Sequence, residues 1–286
     1  FGEKAVLRML ANNASIDYPG TFGMTEENYH KVQQMLGSLN GIIYLTGPTG
    51  SGKSTTLYMM LAELSKRPVN ISTIEDPVEK NLPKLNQMQV HPVAGLTFEV
   101  GLRALLRQDP DIIMVGETRD AETANISIRA AITGHLVLST LHTNDAASSV
   151  IRLVDMGIEP YMVSSALDGI IAQRLVRKVC PYCSRDEIMS DEDRHFIGRS
   201  NINFIKVAKG CNHCNNTGYS GRISIHEILV VDKEMRKMIS SGANTEEIKD
   251  YAIQKQGMKT LRESCIDLIE QGITTMEEFK RVAAFD

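Results

Sequence analysis

The stretch Gly47–Thr55 constrains this chain more than any other part of its sequence. It reads Gly-Pro-Thr-Gly-Ser-Gly-Lys-Ser-Thr and fits the phosphate-loop pattern G-x-x-x-x-G-K-[ST] in full. Residues 42–46 before it are apolar and predict a strand, and the apolar residues after it recur at helical spacing. A strand, a glycine-rich turn and a helix N-terminus in this order favour an α/β fold whose sheet edge binds phosphate.

The chemistry of the loop follows from its residue types. Glycines let backbone N–H groups turn toward a phosphate, and the helix N-terminus adds partial positive charge. Lys53 is predicted to reach the β- and γ-phosphates of ATP, and Ser54 to offer its hydroxyl to Mg²⁺. The alternative is a coincidental glycine-rich turn, which the strand–loop–helix setting disfavours. The predicted nucleotide-binding residues are Gly47, Pro48, Thr49, Gly50, Ser51, Gly52, Lys53, Ser54 and Thr55.

Strand and helix patterns alternate through the first two thirds of the chain, which predicts a parallel sheet covered on both faces. A helix capped by Thr25 is expected to run to Leu39. After about residue 178 no further strand of this kind is expected, and from residue 233 the pattern is helical. The predicted strands lie near 42–46, 69–74, 112–116 and 136–140, and the helices near 53–66, 97–108, 121–132 and 145–156.

Polar side chains follow three of these strands where each strand ends. Ligands of open α/β sheets gather at the carboxyl ends of the strands, so these side chains are expected beside the phosphate loop. ATP hydrolysis needs a group that orients or deprotonates water and a metal that offsets phosphate charge. The acidic candidates are Glu75, Asp76, Glu79 and Glu117, and His142 follows the fourth strand. Taken singly, each acid would more often be a solvated loop residue, and His142 a structural histidine.

Three arginines are further candidates for the site. Arg103 and Arg107 are four residues apart on a predicted helix that Asp109-Pro110 ends, a spacing that is also typical of a solvated helix face. Arg119 follows Glu117 closely. An arginine can stabilise transition-state charge within its own subunit or across to a neighbour.

The cysteines are the second strong signal. Cys180 and Cys183, with Cys211 and Cys214, give C-x₂-C-x₂₇-C-x₂-C, two knuckles that together offer four thiolates to a tetrahedral Zn²⁺. The spacer exceeds the usual ~15–20 residues, but the added loop entropy is only ~0.4 kcal/mol. Disulfides are the alternative, which a cytosolic nucleotide-binding protein disfavours. Cys265 lies in a helical apolar pattern and is expected in the core.

Composition limits the possible partners and location. Apolar residues make up 42% and charged residues 23% of the chain, as in ordinary globular proteins, and the net charge of −4 gives no overall attraction to nucleic acid or acidic lipid. No signal-peptide pattern or membrane-length apolar run is present, so a cytoplasmic location is expected.

Taken together, the motifs resemble those of the secretion ATPases of type II secretion and type IV pilus assembly. Four segments match in order, and the cysteine knuckles with the following residues 217–222 are similar to the family's metal-binding subdomain. The segments are the Walker A run Gly47–Thr55, the aspartate box Thr73–Glu79, the Walker B variant Leu102–Asp120 and the histidine box Ala131–Thr143.

The resemblance implies a RecA-like P-loop core with a small zinc-binding insertion and a C-terminal helical subdomain. It implies an ATP-driven hexamer that acts on a platform protein at the inner membrane, with membrane association only through protein partners. Glu79 would be the catalytic base with Glu75 as the second choice, Glu117 would organise Mg²⁺ and water, and His142 would sense the γ-phosphate. The arginines Arg103, Arg107 and Arg119 would approach nucleotide or subunit contacts. Retraction motors generally lack the four cysteines, so an assembly or secretion motor is favoured.

The predicted division of the chain follows from the same resemblance. Residues 1–18 are expected to be the tail of a preceding N-terminal domain of a longer protein. The other predicted units are a linker and first helix at 19–40, the ATPase core at 41–178, the tetracysteine subdomain at 179–222 and the helical subdomain at 223–286. Two other functions stay open, a DNA-uptake or conjugation ATPase and a nucleotide-gated zinc-knuckle module that binds nucleic acid. One tyrosine near each knuckle gives no stacking platform, so no direct nucleic-acid contact is expected.

Overall fold

A twisted sheet forms the centre of the molecule. The computed structural model describes residues 22–199 and 201–283. The predicted N-terminal tail at 1–18 lies outside the described residues. Within them, seven strands form one sheet in the order β3-β2-β4-β5-β1-β6-β9, parallel throughout except that β9 runs antiparallel to β6. The strands are β1 (Gly41–Thr46), β2 (Ile71–Glu75), β3 (Leu85–Gln89), β4 (Ile112–Val115), β5 (Leu136–Leu141), β6 (Leu167–Val179) and β9 (Tyr219–Val230).

Helices cover both faces of this sheet, as the alternating pattern predicted. Their bounds are α1 (Glu26–Leu36), α2 (Lys53–Leu64), α3 (Phe98–Leu105), α4 (Ala121–Ile132), α5 (Ala146–Asp155), α6 (Pro160–Ala166), α7 (Asp191–Ile197), α8 (Lys233–Ser240), α9 (Thr245–Gln256), α10 (Leu261–Glu270) and α11 (Met276–Val282).

Alternate side chains of the central strands pack into two hydrophobic layers, one on each face of the sheet. On β1, Ile43 and Leu45 are fully buried in the layer that includes α1 and α2. Ile42 and Tyr44 are fully buried on the opposite face, in the layer that includes α4, α5 and the C-terminal helices. A strand that is apolar on both faces reads as a continuous apolar run, which is why the sequence predicted β1, β4 and β5 correctly. β2 was predicted as well, although it also buries Ser72, Thr73 and Glu75.

The prediction that no strand of this kind follows residue 178 was wrong. β9 spans Tyr219–Val230 and pairs with β6 from Gly169↔Val230 to Val179↔Tyr219. Both strands carry charged or amide side chains within their apolar runs, such as Gln173, Arg177 and Glu227, so neither run looks like a buried strand. The predicted division of the chain stays a prediction, although β9 crosses the boundary drawn at residue 222.

Two helices end earlier than expected. α1 ends at Leu36, where the N–H of Gly37 bonds to the carbonyl groups of Gln33 and Gln34, and Leu39 is 90% exposed. α3 ends at Leu105, and after Leu106 the N–H groups of Arg107 and Gln108 bond only three residues back, to Ala104 and Leu105. The chain therefore tightens into a turn at the point where the 3.6-residue pattern still looks helical.

The segment with the cysteine pairs is inserted between β6 and β9. Beyond the first pair, β7 (Arg185–Ile188) and β8 (Phe204–Val207) form an antiparallel pair with α7 between them. The predicted helical pattern after residue 233 is confirmed by α8, α9 and α10. α10 and α9 contact β9, whereas α8 packs against α6 and α9, and Met235, Ile248 and Leu261 are buried in these helices.

Candidate functional site

A cleft of about 380 Å³ lies at the carboxyl ends of the central strands. β2, β4, β5 and β1 are neighbours in the sheet, so the residues that follow them converge there. This is the convergence that the strand ends predicted. The residues lining the cleft include Thr49, Gly50, Ser51, Gly52, Lys53, Ser54, Thr55, Tyr58, Glu75, Asp76, Glu79, Glu117, Arg119, His142, Leu175 and Arg222.

The phosphate loop opens into this cleft with an uncapped helix. α2 begins at Lys53, and its N-cap residue Gly52 has φ 90° and makes no side-chain cap hydrogen bond. By contrast, Asp120 and Asp145 accept hydrogen bonds from the first turns of α4 and α5, at 2.8 and 2.7 Å. The first N–H groups of α2 therefore have no side-chain acceptor and face a site suited to an anion.

The side chain of Lys53 contacts the backbone of the phosphate loop. It is nearly buried, and Nζ donates to the carbonyl oxygens of Gly47 at 2.7 Å and Pro48 at 3.2 Å. Burial lowers the pKa of the ammonium, while the negative charge of Glu117 acts in the opposite direction. A partly desolvated ammonium attracts a phosphate more strongly than a solvated one would.

Glu75 is fixed in place by three donors. Its carboxylate accepts from Thr73 Oγ1 at 2.5 Å, from Gln87 Nε2 at 3.1 Å and from the hydroxyl of Tyr58. The residue is only 4% exposed. A carboxylate held in this way has little freedom to take a proton from water.

Glu79 differs from Glu75 although both line the cleft. Its side chain is exposed, and its backbone N–H donates to the Tyr58 hydroxyl oxygen at 3.1 Å. Tyr58 therefore connects the two acids, donating to the Glu75 carboxylate and accepting from the Glu79 backbone. Asp76 is exposed as well.

Glu117 lies between two basic side chains. It forms an ion pair with Arg119, and His142 Nε2 is 3.4 Å from its second carboxylate oxygen. Its side chain is 13% exposed, whereas that of His142 is 47% exposed. The hydrogen bond to Glu117 raises the pKa of the Arg119 guanidinium. The three side chains bring both signs of charge to one wall of the cleft.

Hydroxyl groups fix this wall to the phosphate loop. Thr46, the last residue of β1, accepts from the N–H of Thr143 at 2.9 Å, and the two hydroxyl oxygens are 2.6 Å apart. Thr140 donates to the carbonyl oxygen of Gly116 at 2.8 Å. Because His142 and Glu117 adjoin these residues, their backbone positions are set relative to Gly47.

Two predicted arginines lie elsewhere. Arg103 is exposed on α3 and pairs with Glu99 and Glu122, and Arg107 is exposed beyond the end of that helix. Neither lines the cleft of the described chain. The earlier end of α3 means that the two arginines do not share one helix face as the spacing predicted. A role toward a neighbouring subunit stays a prediction.

Sequence reasoning missed the residues that β6 and β9 bring to the cleft. Leu175 and Arg222 line it, and Gln173 packs under the phosphate loop. The apolar run Gly169–Ala172 was a signal for the strand. The polar residues after it concealed that the strand continues beside the loop.

The four cysteines of the knuckles converge, as predicted. Their sulfur atoms all lie within 4.8 Å of one another. The Sγ–Sγ distances are 3.9 Å for Cys180–Cys211 and 3.8 Å for both Cys183–Cys214 and Cys211–Cys214. These residues could hold a metal ion. Cys265 lies elsewhere and is fully buried in the core, as expected.

Backbone N–H groups point at the sulfurs. Gly210 donates to Cys183 Sγ at 3.3 Å, and Cys211 and Gly218 donate to Cys214 Sγ, each at 3.2 Å. Burial raises the pKa of the Cys214 thiol, but the N–H groups of Cys211 and Gly218, together with hydrogen bonds from the Cys211 and Cys183 side chains, lower it to about 6. The backbone therefore favours the thiolate form of Cys214. Burial raises the pKa of the Cys183 thiol to about 11, although the Gly210 N–H acts in the opposite direction.

Within residues 22–199 and 201–283, no helix combines the length and the apolar composition that crossing a bilayer requires.

Comparison with known proteins gives consistent matches. A family model described as "Type II/IV secretion system protein" matches residues 1–281. The type IV pilus assembly ATPase PilB of Thermus thermophilus is 48% identical over 283 residues, which are 97% of this chain and 32% of that protein. The type II secretion system ATPase E of Vibrio cholerae is 45% identical over 283 residues, covering 98% of this chain and 56% of that protein.

Solved structures of secretion and pilus ATPases are also similar to this chain. The pilus retraction motor PilT with bound ADP superposes with a TM-score of 0.67 at 30% identity, covering 91% of this chain and 67% of that chain. The ATPase DotB of Legionella pneumophila gives a TM-score of 0.67 at 28% identity, covering 90% of this chain and 63% of that chain. The expected fold class, α/β with a RecA-like P-loop core, is confirmed. The chain spans about a third of the Thermus relative and just over half of the Vibrio relative.

Proposed function

This chain belongs to the type II/IV secretion system protein family, and from that premise we propose that it hydrolyses ATP to drive pilus assembly or type II secretion. The observation that carries the proposal is the cleft at Gly47–Thr55. It combines an open helix N-terminus, a partly desolvated lysine and an exposed carboxylate in one cavity. The relatives named for pilus assembly and type II secretion support the same activity.

In this proposal the phosphate loop binds the triphosphate. Lys53 and the first N–H groups of α2 offset its charge, and the Ser54 hydroxyl is the protein ligand for Mg²⁺. Ser54 is exposed to the cleft, which fits that role. Bound Mg²⁺ would supply charge compensation between the β- and γ-phosphates.

Glu79 is the proposed base for the attacking water. Its exposed carboxylate can reach water, whereas three hydrogen bonds hold the Glu75 carboxylate. Glu75 and Tyr58 instead fix the segment that carries Glu79. Glu117, between Arg119 and His142, would orient the metal and water, and His142 would respond to the γ-phosphate.

The knuckles are proposed to bind one structural Zn²⁺ through Cys180, Cys183, Cys211 and Cys214. Tetrahedral zinc with Zn–S bonds of about 2.3 Å separates its sulfurs by roughly 3.8 Å, which matches the distances of 3.8–3.9 Å for Cys180–Cys211, Cys183–Cys214 and Cys211–Cys214. Four sulfurs leave no open coordination position for chemistry. The presence of the four cysteines favours an assembly or secretion motor over a retraction motor.

The working unit is proposed to be a hexamer at the cytoplasmic side of the inner membrane, bound to a platform protein. Arg103 and Arg107 are exposed and lie away from their own cleft. That position supports a contact with the nucleotide or surface of a neighbouring subunit. The rate of hydrolysis per chain is then expected to rise with protein concentration.

Steady-state ATP hydrolysis by the Lys53→Ala variant tests the proposal. Removing the buried ammonium is expected to lower turnover by about a hundredfold or more, because no other group replaces its charge at the phosphates. Lys255→Ala, an exposed lysine on α9, is the matched control and should hydrolyse ATP like the unmodified chain. Equal turnover in the two variants would overturn the proposed mechanism.

A further inference from the structure

Gln173 is a buried amide that packs directly against the phosphate loop. It lies on β6 and is 2% exposed. Its Nε2 donates to the carbonyl oxygen of Ser51 at 2.8 Å, and its Oε1 accepts from Thr56 Oγ1 at 2.8 Å. Both ends of one side chain are therefore bonded to the same loop and helix.

These two hydrogen bonds bracket the segment that would meet the phosphates. Ser51 precedes Gly52, and Thr56 lies in the first turn of α2. Lys53 and Ser54, together with the first N–H groups of α2, lie between the two bonds. A shift of Gln173 would therefore move the whole segment relative to the sheet.

Close contact between the loop glycines and Gln173 supports the same point. A Cβ placed on Gly52 would lie 2.8 Å from Gln173 Nε2, and one on Gly47 would lie 2.4 Å from the Gln173 carbonyl oxygen. Both distances are too short for a real side chain, and both glycines also have positive φ, 90° and 143°. The loop thus rests on Gln173 at two points, with Gly52 against the side-chain amide and Gly47 against the backbone carbonyl, which any residue here would supply.

Packing alone does not require an amide at this position. The preceding β6 residues Ile170, Ile171 and Ala172 are apolar and fully buried. A buried amide costs free energy unless its polar atoms are hydrogen-bonded. Here the bonds that satisfy the amide go to Ser51 of the loop and Thr56 of α2, so the polar side chain is matched to the phosphate-binding segment and not to the core.

We propose that Gln173 is a positioning residue of the nucleotide site, which holds the phosphate loop at the height where Lys53 and the α2 N-terminus meet the β- and γ-phosphates. This inference rests on the proposed nucleotide binding. Gln173 acts through the loop backbone and the Thr56 hydroxyl, and it does not itself contact the nucleotide.

The test is the affinity of the full 286-residue chain for fluorescently labelled Mg·ADP. Gln173→Glu keeps the shape but replaces the donor with an oxygen that faces the Ser51 carbonyl. At about pH 8 the loss of affinity is expected to be about tenfold or more. As the pH falls toward about 6, the introduced carboxyl group becomes protonated and can again donate to Ser51, since burial raises the pKa of a carboxyl group. The loss should then shrink as the donor to Ser51 returns, whereas a defect unrelated to the charge of this side chain would not recover in this way.

A double-mutant cycle tests the same contact without a new charge. Gln173→Met and Thr56→Val each remove one side of the hydrogen bond, so their effects on affinity should be strongly non-additive. Gln254→Glu, an exposed glutamine on α9, is the matched control and should bind nucleotide like the unmodified chain.

The outcomes separate the inference from the proposed function. If the unmodified chain fails to bind Mg·ADP, the proposed function itself fails. If the unmodified chain binds and Gln173→Glu binds equally well at both pH values, the positioning role is overturned. Fully additive losses in the Gln173→Met and Thr56→Val cycle would also overturn it.

Discussion

The nucleotide cleft and the cysteine cluster both adjoin the C-terminal half of β6, at Leu175 and just beyond Val179, yet their polar groups are arranged in opposite ways. In the cleft, Glu79, His142 and the start of α2 face open space. In the cluster, four sulfurs face one another within 4.8 Å, with backbone N–H groups behind them. A site that turns over a substrate must keep groups free for it, whereas a site that only stabilises structure can satisfy all its groups internally.

The same contrast occurs within the cleft between its two neighbouring acids. Glu75 is satisfied by Thr73, Gln87 and Tyr58, whereas the Glu79 side chain is exposed. If a catalytic group must be free for its substrate, removing the charge of the exposed Glu79 should stop ATP hydrolysis. Removing the charge of Glu75 should instead weaken the hydrogen bonds that hold the neighbouring segment in place.

The largest expected effect comes from Glu79→Gln. Loss of the proposed base should lower ATP turnover by about a hundredfold to ten-thousandfold, while the affinity for Mg·ADP stays within about threefold because the loop is unchanged. Turnover and labelled-nucleotide titration measure the two effects.

Glu192→Gln, an exposed acid on α7, is the control for this variant. If Glu79→Gln loses nucleotide binding instead, the residue is structural. If Glu75→Gln stops turnover while Glu79→Gln does not, the roles of the two acids are reversed.

The next largest effect is expected at the cysteine cluster. Elemental analysis should find one zinc per chain, and Cys183→Ser should abolish it, because three sulfurs and a hydroxyl bind zinc far more weakly than four thiolates. We expect the unfolding temperature to fall and residues 184–210 to become sensitive to protease. Affinity for Mg·ADP should change by less than about tenfold, since the cluster has no group in the cleft.

Cys265→Ala separates the metal site from general stability. This cysteine is fully buried in the core, where burial raises the pKa of its thiol to about 12. The variant should keep its zinc and lose only about 1 kcal/mol of stability. An iron–sulfur absorbance band in the purified chain, or full zinc in Cys183→Ser, would contradict the tetrahedral zinc site.

The smallest expected effect tests the link between the two acids. Tyr58→Phe removes the hydroxyl that donates to Glu75 and accepts from the Glu79 backbone. We expect kcat to fall by roughly threefold to tenfold with little change in KM, because each hydrogen bond contributes about 1 kcal/mol.

Tyr251→Phe is the matched control, since the Tyr251 hydroxyl donates to Asp232 at 3.0 Å on the helical side of the molecule. It should cost similar stability and leave kcat unchanged. Equal kcat values in Tyr58→Phe and Tyr251→Phe would show that Tyr58 does not position the Glu79 segment.

How far the sequence predicted the fold depended on burial. β1, β2, β4 and β5 are buried along their whole length, and β1, β4 and β5 are mostly apolar, so the pattern was sufficient for them; β2 was also predicted although three of its five residues are polar. β3 is a sheet-edge strand with the sequence Leu-Asn-Gln-Met-Gln and only partial burial, so it gave no strand signal. β9 pairs with β6 across the whole inserted cysteine segment, a long-range contact that no local pattern records.

The sequence by itself determined the phosphate loop, the acids at the strand ends and the two cysteine knuckles. Each of these depends on residue type at short spacing, which the chain carries locally. The tertiary structure decided which acid is held and which is exposed, that Arg103 and Arg107 lie outside their own cleft, and that Gln173 supports the loop. The support of the loop depends on a hydrogen bond between residues 122 positions apart, and the other two properties depend on how strands, helices and loops are placed around the cleft, which only the folded sheet determines.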